Sequence, residues 1–372
     1  MASELPRILV LGGVGMIGRN FVKYCVDNEL CSYIRVADKS MPEISYFRCV
    51  PARVEGGQRR VFSDAHKDAF ASEVVEYVQA DLSREAHVDR AFKPETGPYD
   101  YVFNLAGETK CSQAESVYAA KCRDLSVKCA TKARDCNVKM FVEVSTAFVY
   151  KSQTKEPADE TAKLDPWTLQ AKYKLQAEDQ LRNMTGLNVA FVRPATVYGP
   201  GDVAGLMPRL VCAASYCQLK EKMKLLWDAE MRVNTVHVLD VCKALWHVAT
   251  IRGDVHAVYN LVDKSDTSQG SINRMVATLF NIETGFLGVL VSNLARLRLD
   301  DVVDNANEKH MKPWSDLCNA HGVTNTPLTP YIDKELLAHN HLYVNGAKIE
   351  STGFKYAYPT VHSMTNMVYE GF

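Results

Sequence analysis

The stretch Ile8-Leu9-Val10-Leu11-Gly12-Gly13-Val14-Gly15-Met16-Ile17-Gly18 decides the fold of this chain, together with Asp38 at the end of Arg35-Val36-Ala37-Asp38. An apolar run of strand length meets glycines at 12, 15 and 18, and residues 20–26 continue as an amphipathic helix. Strand, tight turn and helix in that order aim the amides of a helix N-terminus at a phosphate. Glycine is needed where a side chain would block the turn or hold the backbone away from a pyrophosphate. Asp38 stands at the distance expected for a ribose contact, so the unit reads as a dinucleotide site, with Met16 and Ile17 opening its helix. A carboxylate accepts from ribose hydroxyls and repels a phosphate in their place, which favours NAD over NADP. Lys39 and Arg35 are cations near enough in sequence to soften that repulsion, and the competing reading of Asp38 is a solvated strand end.

The whole chain sets limits on function. With 372 residues, 47% hydrophobic and 23% charged, it can form one large or two modest domains. A net charge of -1 gives no electrostatic argument for nucleic acid or an anionic membrane, so neither is expected as a partner. Met-Ala-Ser-Glu-Leu-Pro-Arg lacks the apolar core of a signal peptide, and no apolar run approaches the roughly 20 residues of a membrane helix. Eleven cysteines, scattered without metal-ligand spacing, read as reduced thiols of a cytoplasmic protein, and no metal is expected. The Asn183-Met184-Thr185 sequon is accordingly expected to stay unmodified.

Strand-like and helix-like segments alternate through the first half, the pattern of a parallel sheet with helices on both faces. After Asp38 a long polar connection, residues 40–71, includes Glu55-Gly56-Gly57-Gln58-Arg59-Arg60 and reads as a loop. Strands are expected at 74–78, 101–105, 140–146 and 188–193, with helices at 114–136 and 168–184. Pro194 and the Tyr198-Gly199-Pro200-Gly201-Asp202 turn end the last of these strands. Further on, 206–222 and 241–250 look helical, and 232–238 and 258–262 look extended. Residues 285–299 are an apolar helix candidate, expected as packed core because the run is short and carries Asn293, Arg296 and Arg298. Residues 300–325 show no strong period.

Taken in order, these motifs resemble the extended short-chain dehydrogenase/reductase superfamily, NAD-dependent epimerase/dehydratase type, over roughly residues 6–265, with an echo at Gly353-Phe354. Gly12, Gly15 and Gly18 match its glycine turn, although Leu11 stands where a threonine is usual. By that resemblance Asp81-Leu82 brackets adenine, and Asn104-Leu105-Ala106-Gly107 is the turn beneath the nicotinamide-side ribose. Ser145-Thr146-Ala147-Phe148-Val149-Tyr150 carries the catalytic hydroxyl at Thr146, and Arg193-Pro194-Ala195-Thr196-Val197-Tyr198-Gly199-Pro200 follows the active-site helix. The resemblance implies an α/β, Rossmann-type doubly wound sheet with a smaller C-terminal substrate-binding part. The domains expected are 6–200 for NAD, with 236–265 returning to it, and 201–372 mainly for substrate. A homodimer is implied by the same likeness.

One departure bears on activity. The superfamily acts through Tyr-x-x-x-Lys on a helix, and here that helix reads Trp167-Thr168-Leu169-Gln170-Ala171-Lys172-Tyr173-Lys174-Leu175-Gln176-Ala177-Glu178. The Lys-Leu-x-x-Glu ending makes Lys174 the family lysine, and Gln170 stands four residues earlier on the same face. A phenol near pKa 10 can exchange a proton beside an ammonium, whereas an amide cannot serve as that base. Tyr173 lies about 100° around the helix from Lys174. Three readings stay open: a phenol from Tyr173, Tyr150 or Tyr198; proton transfer by Lys174 with Thr146 and water; or NAD binding without turnover. Glu108 is either a second acid/base group or a surface carboxylate paired with Lys110. Arg232 and Asn234 should share a strand face that, by resemblance, helps hold substrate, with His237 opposite as a ligand or a packed histidine. Trp167 lines the pocket mouth or packs; His310, Trp314, Cys318 and His321 read as scaffold. The reaction implied is oxidoreduction or epimerisation/dehydration at a secondary alcohol or ketone, with a nucleotide sugar or a hydroxysteroid-like molecule as substrate.

Overall fold

The computed structural model describes residues 5–42, 64–94, 97–251, 256–323 and 326–361. Seven strands form one parallel sheet: β1 (Arg7–Leu11), β2 (Tyr33–Asp38), β3 (Val75–Gln79), β4 (Tyr101–Asn104), β5 (Met140–Val144), β6 (Val189–Pro194) and, after three strands outside it, β10 (Val258–Leu261). Their spatial order is β10-β6-β5-β4-β1-β2-β3, so strand order reverses between β1 and β4. The period-two geometry of β1 sends Ile8 and Val10 into one buried cluster with Phe21, Val36 and Val142, and Leu9 and Leu11 into another with Val102, Leu125 and Phe141. Helices therefore cover both faces, and the crevice beyond the carboxyl ends of β1 and β4 is the switch point where ligands settle in such sheets.

The chain leaves the sheet after β6. Strand β7 (Thr196–Tyr198) pairs with β9 (Thr235–His237), and β8 (Met223–Leu225) pairs with β11 (Thr284–Phe286), both parallel. Helices Met207–Leu219, Gln269–Phe280 and Leu299–Ala320 build this smaller part. The Val238–Thr250 helix and β10 then return to the main sheet, and Ile349 and Phe354 pack into the first of its two clusters. Each of the ten described cysteines is a free thiol.

Three expectations need correction or limits. Residues 43–63, with Glu55 to Arg60 in the expected loop, lie outside the described residues, but 64–70 is a helix rather than loop. The aperiodic 300–325 run contains the 22-residue Leu299–Ala320 helix. Its buried positions are Val303, Asn307, His310 and Pro313, a helical spacing occupied largely by polar residues, so no apolar period marks it. Asn307 is used there to bond both the amide and the carbonyl of Ile332. The third correction is the Gly288–Arg296 helix within residues 285–299: it is not packed core, because Ser292 alone is buried while Leu290, Val291, Leu294 and the adjoining Leu297 are exposed.

Candidate active site

The glycines of the first turn separate by what a side chain would meet. Gly12 has φ +75°, and a Cβ there would lie 2.6 Å from the Ala106 backbone; one at Gly18 would lie 2.5 Å from Gly13 Cα. The fold itself demands both. At Gly15 a Cβ would meet nothing nearer than 3.4 Å, so internal packing does not explain that glycine. Gly15 is also the N-cap of the Met16–Asp27 helix and supplies no side-chain cap, so that helix mouth, with Met16 and Ile17 in its first turn, keeps amides directed outward. Asp38 closes the other side: Oδ2 accepts from Val14 N at 3.0 Å and Oδ1 from Ser40 N at 2.9 Å. Burial raises its pKa, against the pull of those amides. With the Lys39 amide also bonded to it, the carboxylate still retains a free lone pair for a ribose hydroxyl, and the residues present thus fit an adenosine diphosphate group. Arg35, by contrast, turns away to pair with Glu76 at 2.8 Å, so it does not soften Asp38. Asp81 binds the Ser83 amide and hydroxyl, and Leu82 is buried beside it.

Beneath the Asn104-to-Gly107 turn lies a polar network that the sequence reading missed. Asn104 Nδ2 donates to Glu143 Oε2 at 2.7 Å and Ser126 Oγ donates to Glu143 Oε1 at 2.8 Å, with all three residues buried. Burial pushes the Glu143 carboxyl up to about 7, opposed by Lys174, Asn104 and Ser126. A carboxylate inside the apolar strand run Phe141-Val142-Glu143-Val144 was the available signal, since unpaired acids are almost never buried. Lys174 reaches over the same strand end: its Nζ donates to Val144 O at 2.6 Å and lies 3.8 Å from where a Gly107 Cβ would stand. Thr146, two residues past Val144, caps a short turn by accepting from Phe148 N at 3.2 Å, which leaves its hydroxyl proton available. Next to it the buried Ser145 Oγ has no hydrogen-bond partner among the described residues.

Lys174 rides on the Leu169–Arg182 helix, which Thr168 caps by accepting from Ala171 N at 3.1 Å. That helix is fixed from below by Glu178, whose oxygens take Arg193 Nε at 2.9 Å and Nη2 at 2.6 Å in a fully buried fork. Gln170 Nε2 donates to Glu108 O at 2.7 Å. Tyr173 is carried to the other side of the helix, into a cluster with Tyr118 and Cys122, where its phenol bonds Glu115 and Arg123 lies 5.5 Å above its ring. The helical angle between positions 173 and 174 accounts for this, so Tyr173 does not join Lys174 and Thr146. The other phenols are also committed: Tyr150 donates to Asn260 at 2.8 Å and accepts from Arg193, and Tyr198 is buried with a bond to Thr360 O.

Glu108 accepts from the amides of Thr109 and Lys110 and from Lys121 Nζ at 3.2 Å. Burial would raise its pKa, but these donors hold it below the usual value, so it is a fixed carboxylate and its ion pair is with Lys121, not Lys110. Pro194 ends β6 beside Leu261. On the C-terminal side, Arg232 pairs with Asp266 and stacks over Tyr343, while buried Asn234 accepts from Val344 N at 2.9 Å. His237 stacks on Tyr358 with ring centroids 4.0 Å apart, and burial pushes it down to about 4. Trp167 packs against Phe148 at 4.6 Å. Cys111, Asp333 and Glu335 come within metal-ligand reach of one another, but Glu335 is spent on the amides of Ser112 and Leu169, both at 2.9 Å. That carboxylate braces the start of the Lys174 helix.

A doubly wound sheet with a glycine turn, an acid ending β2 and a lysine-bearing helix over β5 defines a dinucleotide-dependent class of protein. The sequence profile of the NAD dependent epimerase/dehydratase family matches residues 8–261, and the chain belongs to that family. Among solved structures, the fold is similar to that of a double-mutant dTDP-glucose 4,6-dehydratase from Streptomyces venezuelae with NAD and DAU bound (16% identity, 96% of this chain and 94% of that one, TM-score 0.66). It is also similar to UDP-glucose 4-epimerase from Thermus thermophilus in complex with NAD (17% identity, 94% and 93%, TM-score 0.61). A third similar structure is MoeE5 in complex with UDP-glucuronic acid and NAD (20% identity, 76% and 86%, TM-score 0.59). No curated protein matches the chain.

Proposed function

We propose that this protein binds NAD along the carboxyl edge of its sheet and uses it to oxidise or reduce a secondary alcohol or ketone, with a nucleotide sugar as the substrate class. The observation that carries this reading is that Lys174, bonded to Val144 O, and Thr146 both stand at the carboxyl end of β5. Membership of the NAD dependent epimerase/dehydratase family supports it. When bound, NAD supplies the hydride acceptor. The amides at Met16 and Ile17 would receive the diphosphate beside the open Gly15, and Asp38 would accept from the adenosine ribose while disfavouring a phosphate there. Asp81 and Leu82 border the adenine; Leu105, Ala106 and Pro194 flank the nicotinamide end, where Lys174 holds the ribose. The Thr146 hydroxyl donates a hydrogen bond to the reacting oxygen.

The relatives' phenol is replaced by Gln170, an amide that does not ionise and whose donor is spent on Glu108 O. The proton therefore moves at Lys174 Nζ or a water beside it. Lys174→Met should lower turnover of a nucleotide sugar by about a hundredfold or more, read as product formed together with any NADH released. Asp38→Ala should weaken NAD binding far more than NADP binding in calorimetry; equal loss contradicts the ribose role. A second reading, NAD binding without turnover, is favoured by the commitment of Tyr150, Tyr173 and Tyr198 to other partners. It is established if NAD binds, a panel of nucleotide sugars and secondary alcohols gives neither NADH nor an epimerised or dehydrated product, and Gln170→Tyr creates activity. Failure to take up either coenzyme overturns both readings.

A further inference from the structure

The Gly288–Arg296 helix has its amphipathicity reversed. Its inner side is small: Ser292 is buried and Ala295 half-buried, and Ser292 Oγ accepts from Trp227 N at 2.7 Å. Large aliphatic side chains point outward: Leu290 is 83% exposed, Leu294 68% and the adjoining Leu297 81%, with Leu287, Val289 and Val291 also exposed. An ordinary surface helix puts these residues inside. Contiguous exposed apolar surface of this kind marks a contact site.

The fringe of the strip identifies its occupant. Lys224 stands opposite Gly285 in the β8–β11 pair, at the start of the strip, and Arg296 lies at its end. Lys220 precedes β8. All three are exposed and have no carboxylate partner among the described residues, whereas the nearby acids Glu221, Glu283 and Asp301 are paired to Lys309, Lys222 and Arg298. Exposed cations without an ion pair thus stand at both ends of the strip, while the exposed acids Glu230 and Asp304 further out are also outside any ion pair among the described residues. A nine-residue helix is only about 14 Å long, a narrow ridge compared with the roughly 800 Å² per partner of a stable protein interface. Such interfaces are also enriched in aromatic residues, and the exposed large apolar side chains here between 287 and 297 are Leu and Val only. Aliphatic side chains flanked by cations match the boundary between acyl chains and anionic headgroups.

We propose that the Gly288–Arg296 helix is an interfacial anchor that lays Leu290, Val291, Leu294 and Leu297 into an anionic lipid surface, with Lys224 and Arg296 at headgroup level. The helix lies on the bilayer and does not cross it; no described helix is long and apolar enough to do so. The anchor is independent of the coenzyme site, since the strip shares no residue with it.

The test is co-sedimentation of the full chain with phosphatidylcholine vesicles, with and without phosphatidylserine, alongside light scattering and a thermal melt. Wild type should pellet with the mixed vesicles. Leu290→Asp/Leu294→Asp should lose about a hundredfold in vesicle affinity while melting at the same temperature, because both positions are exposed. Lys224→Glu/Arg296→Glu should erase the preference for phosphatidylserine. The proposal is overturned if wild type binds neither vesicle, or if the leucine variant binds as well as wild type. It is equally overturned if wild type ignores vesicles and self-associates in a form that the leucine variant converts to monomer, which makes the strip a contact between copies.

Discussion

The Leu169–Arg182 helix buries a carboxylate completely, while the Gly288–Arg296 helix leaves most of Leu290 in the open. Hydrophobicity alone would reverse these two assignments. The difference lies in what each helix meets. Glu178 enters the interior because Arg193 is already there in β6, offering a fork that matches both oxygens, and Tyr150 takes up another of the guanidinium donors. Nothing among the described residues offers Leu290 or Leu294 an equivalent apolar partner. Burial is decided by the surface available to receive a side chain, not by the side chain alone.

The largest expected effect breaks the first helix. Glu178→Gln keeps the shape but leaves the Arg193 guanidinium buried and uncompensated, which should cost about 3–5 kcal/mol in urea unfolding. A loss below about 1 kcal/mol would mean that the pair is wet rather than buried. Next is Glu143, raised from 4.5 to about 7. Between those values the folded state binds more protons than the unfolded one, so its contribution is fully present below 4.5 and is lost as pH rises through 7. Glu143→Gln, with the Ser126 hydroxyl reversing to accept, should stabilise the protein above pH 7 by about 2 kcal/mol and flatten the pH 4.5–7 slope. An unchanged slope removes Glu143 as its source.

Tyr173→Phe sharpens the comparison on the outer face of the same helix. It removes one solvent-exposed bond to Glu115 and should leave both the unfolding midpoint and turnover essentially unchanged. Abolished turnover would return the phenol to the chemistry. A similarly small effect belongs to the second helix. Leu290→Asp/Leu294→Asp should shift stability by no more than about 0.5 kcal/mol, as at exposed positions generally. A loss of several kcal/mol, as expected for truncating buried Leu181, would show that the strip is covered.

The glycine turn, Asp38 and the alternating strands made the main sheet readable, because each carries a local requirement: φ +75° at Gly12, a period of two in β1, a lysine helix following β5. Lys174 and Thr146 were legible as candidates for the same reason, each from its place in a local motif. The Asn104–Ser126–Glu143 network was not, since its members are separated in sequence and meet only when β4, β5 and the Leu125–Asp135 helix pack together. Nor was the Leu299–Ala320 helix, whose inner face is partly polar and paired to a distant segment through Asn307.

By itself the sequence determined the doubly wound sheet and its glycine turn, because these depend on residue type and short spacing. Only the tertiary structure decided that Tyr173, Tyr150 and Tyr198 belong to packing, that Arg232 and Asn234 are held by Asp266 and Val344, and that Leu290 faces outward. Those outcomes depend on which surfaces meet across long loops, and a side chain's environment is set by its partners in space.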